Sequence, residues 1–284
     1  MTTATQDAAP PAGDIRPLGS LAAAGWLAWF SVREMARRRR LIALGLINLL
    51  PVLVVLAARL WWHEPGGTAQ VLLAALSHDV FMPFLIPIVA MAVGVSAIGE
   101  QVEDGTIVFT WTRPVRRRAL YLGRLLAAQV VSTLVLALSL VLCFAVMLSE
   151  GTRVLTWEFL RLYLQTLLII GLGAFAYCAL FAAVGTAVRK PVVPSILFWF
   201  GWENLVANIP ARVQELSLRF HLQNLVTRPE QPPQDLPGLL GALLTTAFHR
   251  DPVPRLQSVA VLLGVTAVAT VAGVWLLKRK ELAK

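Results

Sequence analysis

Few side chains in this sequence are equipped for covalent chemistry, and their spacing argues against it. The four histidines, His63, His78, His221 and His249, stand far apart. His78 precedes Asp79, but two adjacent residues make neither a triad nor a metal site. No HExxH, GxSxG or ligand-spaced cluster can be written. All four histidines fall between apolar runs, in segments predicted to be external, where solvated or interfacial packing is expected of them. Cys143 and Cys178 lie inside apolar runs, which fits neither a disulfide framework nor a metal site. No lysine follows a glycine, so no GxxxxGK[ST] phosphate loop exists and the chain is expected to hold no ATP of its own. Gly171-Leu-Gly173 sits in an apolar run with no strand before it, and suits a small-residue helix contact with Ala174 and Ala176. The expectation is a chain that is not an enzyme, with no catalytic residues, no metal and no cofactor.

Ionisable groups inside apolar runs are the remaining candidates. Arg59 and Arg161 lie near run ends, where a long side chain reaches the interface. Glu203, within Trp202-Glu203-Asn204, stands about 18 Å along its helix at 1.5 Å per residue. Together with Asn204 it either lines a pathway near the external leaflet or caps the turn into the next loop. Asn48, Gln129, Ser132, Thr133 and Gln165 have the character of polar contacts between helices.

The densest chemistry is the stretch Gly99 to Arg124, GEQVEDGTIVFTWTRPVRRRALYLGR. It opens with Glu100, Glu103 and Asp104, turns at Gly105-Thr106, and closes with Arg113, Arg116, Arg117 and Arg118 around Pro114. Apolar runs flank it, so it lies in water or headgroups at one bilayer face, and its arginine excess makes that face cytoplasmic. It is either a docking surface for a partner that drives the membrane part or a topogenic loop with a solvated acidic turn.

The elements that position these residues follow from composition. The chain has 284 residues, 57% hydrophobic and 14% charged, with a net charge of +9 and a mean hydropathy of +0.69; soluble domains carry about 25% charged residues. The basic residues cluster at the ends of apolar runs and form no stripe for nucleic acid. A span needs about 20 apolar residues, and about six candidates appear: 41–60, 80–98, 119–148, 157–188, 192–209 and 256–277. Pro51, Pro83, Pro87 and Pro194 mark kinks. An all-α polytopic membrane protein is expected, in the cytoplasmic (inner) membrane with both termini cytoplasmic. Residues 1–19 are expected to be a disordered tail and 20–284 a single transmembrane domain. No secretory signal peptide is expected, because the first apolar run follows Arg37–Arg40, is long enough to span and is not followed by a cleavage site. Ser20 to Arg40, with Leu21, Trp26, Leu27, Trp29 and Phe30 opposite Arg33, Glu34 and Arg37, is either an interfacial helix or an extension of the first span. The loop 210–255 carries short apolar pieces suited to surface-lying or re-entrant helices at the external face.

The charged stretch resembles the first cytoplasmic loop of type-2 ABC exporter permeases, which runs E-x-E-x-G-T, a short apolar stretch, P-V-S-R and then L-G-K. Glu100, Glu103, Gly105, Thr106, Pro114, Val115, Arg117 and Gly123 line up with it. Glu103 is displaced by one place, Arg116 stands where the family has a small polar residue, and Arg124 replaces the lysine. The resemblance implies a coupling helix within 99–118 that docks on a separate P-loop ATPase subunit holding ATP and Mg. It implies a second permease copy, in a homodimer or heterodimer, and assigns ATPase coupling to Glu100, Glu103, Asp104, Gly105, Thr106, Pro114 and Arg117. Ile107, Val108 and Phe109 would fill the partner's groove.

Three functions compete: a permease powered by a separate ATPase, a membrane-embedded enzyme, and an ABC-type assembly or regulatory component acting on an extracellular partner. The enzyme is disfavoured because no His, Asp or Cys constellation shares a depth. A neighbouring gene for a P-loop ATPase favours the first and third, and a co-encoded periplasmic factor the third.

Overall fold

The computed structural model describes residues 20–36, 40–61, 68–103, 117–149, 156–188, 190–208, 212–226 and 253–282, and every regular element among them is helical. Helices are what long apolar runs form, because inside a bilayer each backbone donor and acceptor must be satisfied within its own segment. In chain order they are α1 (Ser20–Ala36), α2 (Arg40–Asn48), α3 (Leu50–Trp61), α4 (Thr68–Leu76), a π-helical segment (Ser77–Leu85), α5 (Ile86–Glu103), α6 (Arg117–Leu148) and α7 (Trp157–Ala187). Then come α8 (Val192–Leu197), a second π-helical segment (Phe198–Glu203), α9 (Asn204–Asn208), a 3-10 turn (Arg212–Leu216), α10 (Leu218–Leu225) and α11 (Arg255–Leu282).

Four helical runs are long and apolar enough to cross a membrane: Leu72–Gly99, Arg118–Leu148, Trp157–Ala187 and Arg255–Arg279. Two shorter apolar runs, Ile42–Ala58 and Val192–Val206, stand where the first and fifth spans are expected. Both are interrupted. A turn at Leu49, just before Pro51, separates α2 from α3, and the Ser139 hydroxyl of α6 donates to the Asn48 carbonyl there at 2.6 Å. The fifth run changes register at Phe198.

α5, α6 and α7 form the centre, with α1 to α3 on α6 and α11 on α7. Small residues bring α5 and α7 together. A Cβ on Gly185 would stand 3.2 Å from the Val95 carbonyl oxygen, and one on Gly99 would stand 2.9 Å from Pro191 Cγ. Along α1, Ser31 is buried while Trp26, Trp29 and Phe30 point away from the bundle, so the aromatic side picked out in the sequence is not the packed one.

The start of the second span needs correction, and with it the setting of two histidines. The second span begins at Leu72, not at residue 80, because the polar trio Ser77-His78-Asp79 continues the helix instead of ending it. His78 is therefore buried in a span, and His221 is 1% exposed on α10; neither lies in a solvated external segment. His63 and His249 lie outside the described residues. In the loop 210–255, where the sequence suits surface-lying or re-entrant helices, residues 212–226 do not lie on the surface: they are folded into the bundle, with Leu218, Phe220, His221, Leu222, Gln223 and Leu225 all buried.

Candidate functional site: a polar seam within one end of the bundle

α10 enters the bundle with its N-terminus inward. Pro191 packs on Gly99 at the charged-loop end, and Glu203 stands about 18 Å further along at 1.5 Å per residue. There its carboxylate meets the first turn of α10. Ser217 Oγ donates to Oε2 at 2.7 Å, the Leu218 amide to Oε1 at 3.2 Å and the Arg219 amide to Oε2 at 3.1 Å. These are amides that a helix N-terminus leaves without partners, and its positive dipole end favours the negative charge. Ser217 also caps the helix by accepting from the Phe220 amide at 3.3 Å. Both oxygens of the 1%-exposed Glu203 are thus engaged by α10.

Further polar groups close around this cap. Arg219 Nη1 donates to Asn204 Oδ1 at 2.9 Å. Tyr177, Asp79 and Glu203 stand close enough to Arg219 to act on its charge. Tyr177, fully buried on α7, brings its hydroxyl beside the Glu203 carboxylate without reaching hydrogen-bond geometry. His78 Nδ1 is 2.8 Å from Asp79 Oδ1, so one ring nitrogen is paired with its neighbour's carboxylate.

The outer half of α10 is fastened on three sides. Gln165 Nε2 of α7 donates to the Leu225 carbonyl at 2.8 Å. Asn224 Nδ2 donates to the Val253 carbonyl at 2.6 Å and to Ser258 Oγ of α11 at 3.0 Å. His221 Nε2 lies 2.7 Å from the Glu215 carbonyl and Nδ1 lies 3.2 Å from Ser258 Oγ. A carbonyl only accepts, so Nε2 carries the proton and, in the neutral ring, Nδ1 accepts from Ser258.

The second site expected from the sequence lies at the opposite end. Glu100 and Glu103 fall in the last turns of α5 and Arg117 opens α6; Asp104, Gly105, Thr106 and Pro114 lie outside the described residues. Beside them, Arg124 Nη1 of α6 donates to the Ala97 carbonyl of α5 at 2.9 Å. Of the residues named from sequence, the structure brings Glu203 and Asn204 into one cluster and keeps them apart from the charged loop. Ser217, Arg219, Tyr177 and Gln223 were not anticipated. Ser217 ahead of a short apolar stretch carries a legible helix-start signal, whereas Tyr177 is one more apolar residue within a span.

A family model described as ABC-2 family transporter protein matches residues 25–282. No curated protein matches the chain.

Proposed function

The chain belongs to the ABC-2 family of transporter proteins, and from that premise we propose that it is the membrane-spanning permease subunit of an ABC transporter. It moves a substrate across the cytoplasmic membrane using ATP hydrolysed by a separate P-loop subunit, and it works beside a second permease copy. The ATPase docks on the charged loop between α5 and α6, which faces the cytoplasm together with both termini. The observation that supports this reading is the packing of the two helices that flank that stretch. α6 is fastened to α5 by Arg124 on the Ala97 carbonyl, and α5 meets α7 through Gly99 and Gly185, so a push delivered to the ends of α5 and α6 passes to the centre of the bundle.

The polar seam then lies toward the external side, where the ends of α6, α7 and α11 remote from the loop converge. Glu203 and Asn204 serve the pathway indirectly, by holding α10 at mid-depth.

Co-purification of the tagged chain with its ATPase tests the docking half. Glu103→Lys inverts a charge at the contact, and Gly105→Val obstructs a turn suited to glycine. Losing an interfacial charge pair costs about 2–5 kcal/mol, enough to lose most of a complex of moderate affinity. Both variants are expected to lose the ATPase and substrate-dependent turnover at matched membrane expression. Retained binding and turnover in both would leave the loop a topogenic signal only.

A further inference from the structure

The first half of the second span is broken by two prolines, and each break leaves a backbone carbonyl without its helical donor. In the i→i−5 register of Ser77–Leu85, the amide of residue 83 would bind the His78 carbonyl, but Pro83 has no N–H. One turn on, the amide of residue 87 would bind the Pro83 carbonyl in the α register, and Pro87 has none either. Both acceptors are taken by side chains from a different part of the chain. Gln223 Nε2 on α10 donates to the His78 carbonyl at 3.0 Å, and Trp199 Nε1 donates to the Pro83 carbonyl at 2.9 Å. The Trp199 ring also meets Phe84 edge-on, with centroids 6.2 Å apart. Trp199 itself sits in the second π-helical segment, so both partners in this contact have departed from α geometry.

Resting on the permease reading above, we infer that Trp199 and Gln223 form a two-point latch that holds the proline-broken half of the second span against the α8–α10 assembly. The permease opens at this end by exchanging both bonds for water. A carbonyl at membrane depth with no helical donor must be satisfied either by protein or by water lining a cavity. The two prolines therefore give this segment two satisfied states, one dry and latched and one wet and open. A continuous α-helix, with every carbonyl occupied by its own backbone, has only the dry one. π-helical segments recur where a helix has a functional irregularity, and here two of them meet at the same contact.

Amide hydrogen exchange of residues 77–85, measured on the full chain in lipid nanodiscs without any ATPase, tests the latch. Trp199→Phe keeps the ring and removes the donor, and Gln223→Leu removes the other donor. Each is expected to raise exchange about fivefold, the worth of one net hydrogen bond, and the pair about 25-fold. Pro87→Ala restores the missing amide, so Trp199→Phe on that background should change exchange by less than about twofold. Unchanged exchange in the double variant, or an undiminished Trp199 effect beside Ala at 87, overturns the latch. A second arm adds the ATPase with a non-hydrolysable ATP analogue, under which wild-type exchange in 77–85 should rise toward that of the double variant. If the analogue leaves 77–85 protected while the ATPase is bound, the opening role falls. If the ATPase does not bind at all, the permease reading falls and the first arm still decides the latch.

Discussion

At the charged-loop end, α5, α7 and α8 touch through Gly99, Gly185 and Pro191, and α6 is pinned to α5 by Arg124 on the Ala97 carbonyl. At the opposite end, contact runs through side-chain hydrogen bonds to freed carbonyls and to one helix N-terminus, across two π-helical segments. Close backbone packing has little room to rearrange, because cores at crystal-like density transmit strain. Hydrogen bonds to proline-freed carbonyls can be traded for water at small net cost. The bundle therefore has an end suited to passing on movement and an end suited to opening.

Substitutions at the two ends should break this contrast in order of size. Glu203→Leu has the largest expected effect, because it leaves Ser217 and the Leu218 and Arg219 amides without their acceptor and takes one of two neighbouring carboxylates from Arg219. Removing one partner of a buried charge cluster costs about 3–5 kcal/mol, read as a large fall in the thermal unfolding midpoint in detergent. An unchanged midpoint would reduce the seam to ordinary packing. Next is Gly273→Val at the tight end, where a Cβ would overlap the Tyr121 hydroxyl. Overpacking costs about 1–3 kcal/mol, and Tyr121→Leu in the same chain should recover most of it. Additive losses in that double variant would show that the two helices are not in rigid contact. The smallest effect is expected of Gln165→Leu, which removes one neutral bond to the Leu225 carbonyl at a cost of about 1 kcal/mol. It should loosen α10 in hydrogen exchange and leave the unfolding midpoint nearly where it was.

Much of the tight end was open to reading from the chain. Apolar runs bounded by arginine clusters mark the helices, and the apolar stretch of α7 from Leu167 to Gly185, about 27 Å at 1.5 Å per residue, satisfies its own backbone in lipid as a helix. Glu203 also announced itself, as a carboxylate in an apolar run. Its partners did not, because a buried helix cap is a property of two segments: Ser217 signals a helix start but not the carboxylate it meets, and Arg219 looks ordinary alone. His78 and Asp79 misled for a related reason. Polar residues at the edge of an apolar run resemble its end, and what lets the helix carry on through them is a partner from far along the chain, Gln223 of α10 on the His78 carbonyl. The prolines were legible as kinks, but which carbonyls they free depends on the π register, and no periodicity in the sequence encodes it.

The most direct test joins the two ends in one measurement. Hydrogen exchange of residues 77–85 is followed in nanodiscs holding the chain and its ATPase, with and without the non-hydrolysable ATP analogue, for wild type and Glu103→Lys. In wild type the analogue should raise exchange at the seam. In Glu103→Lys the analogue should have no effect, although exchange without nucleotide is the same as in wild type, because the charge inversion touches only the far end. A seam that stays protected in wild type, or one that opens equally in Glu103→Lys, would contradict the account.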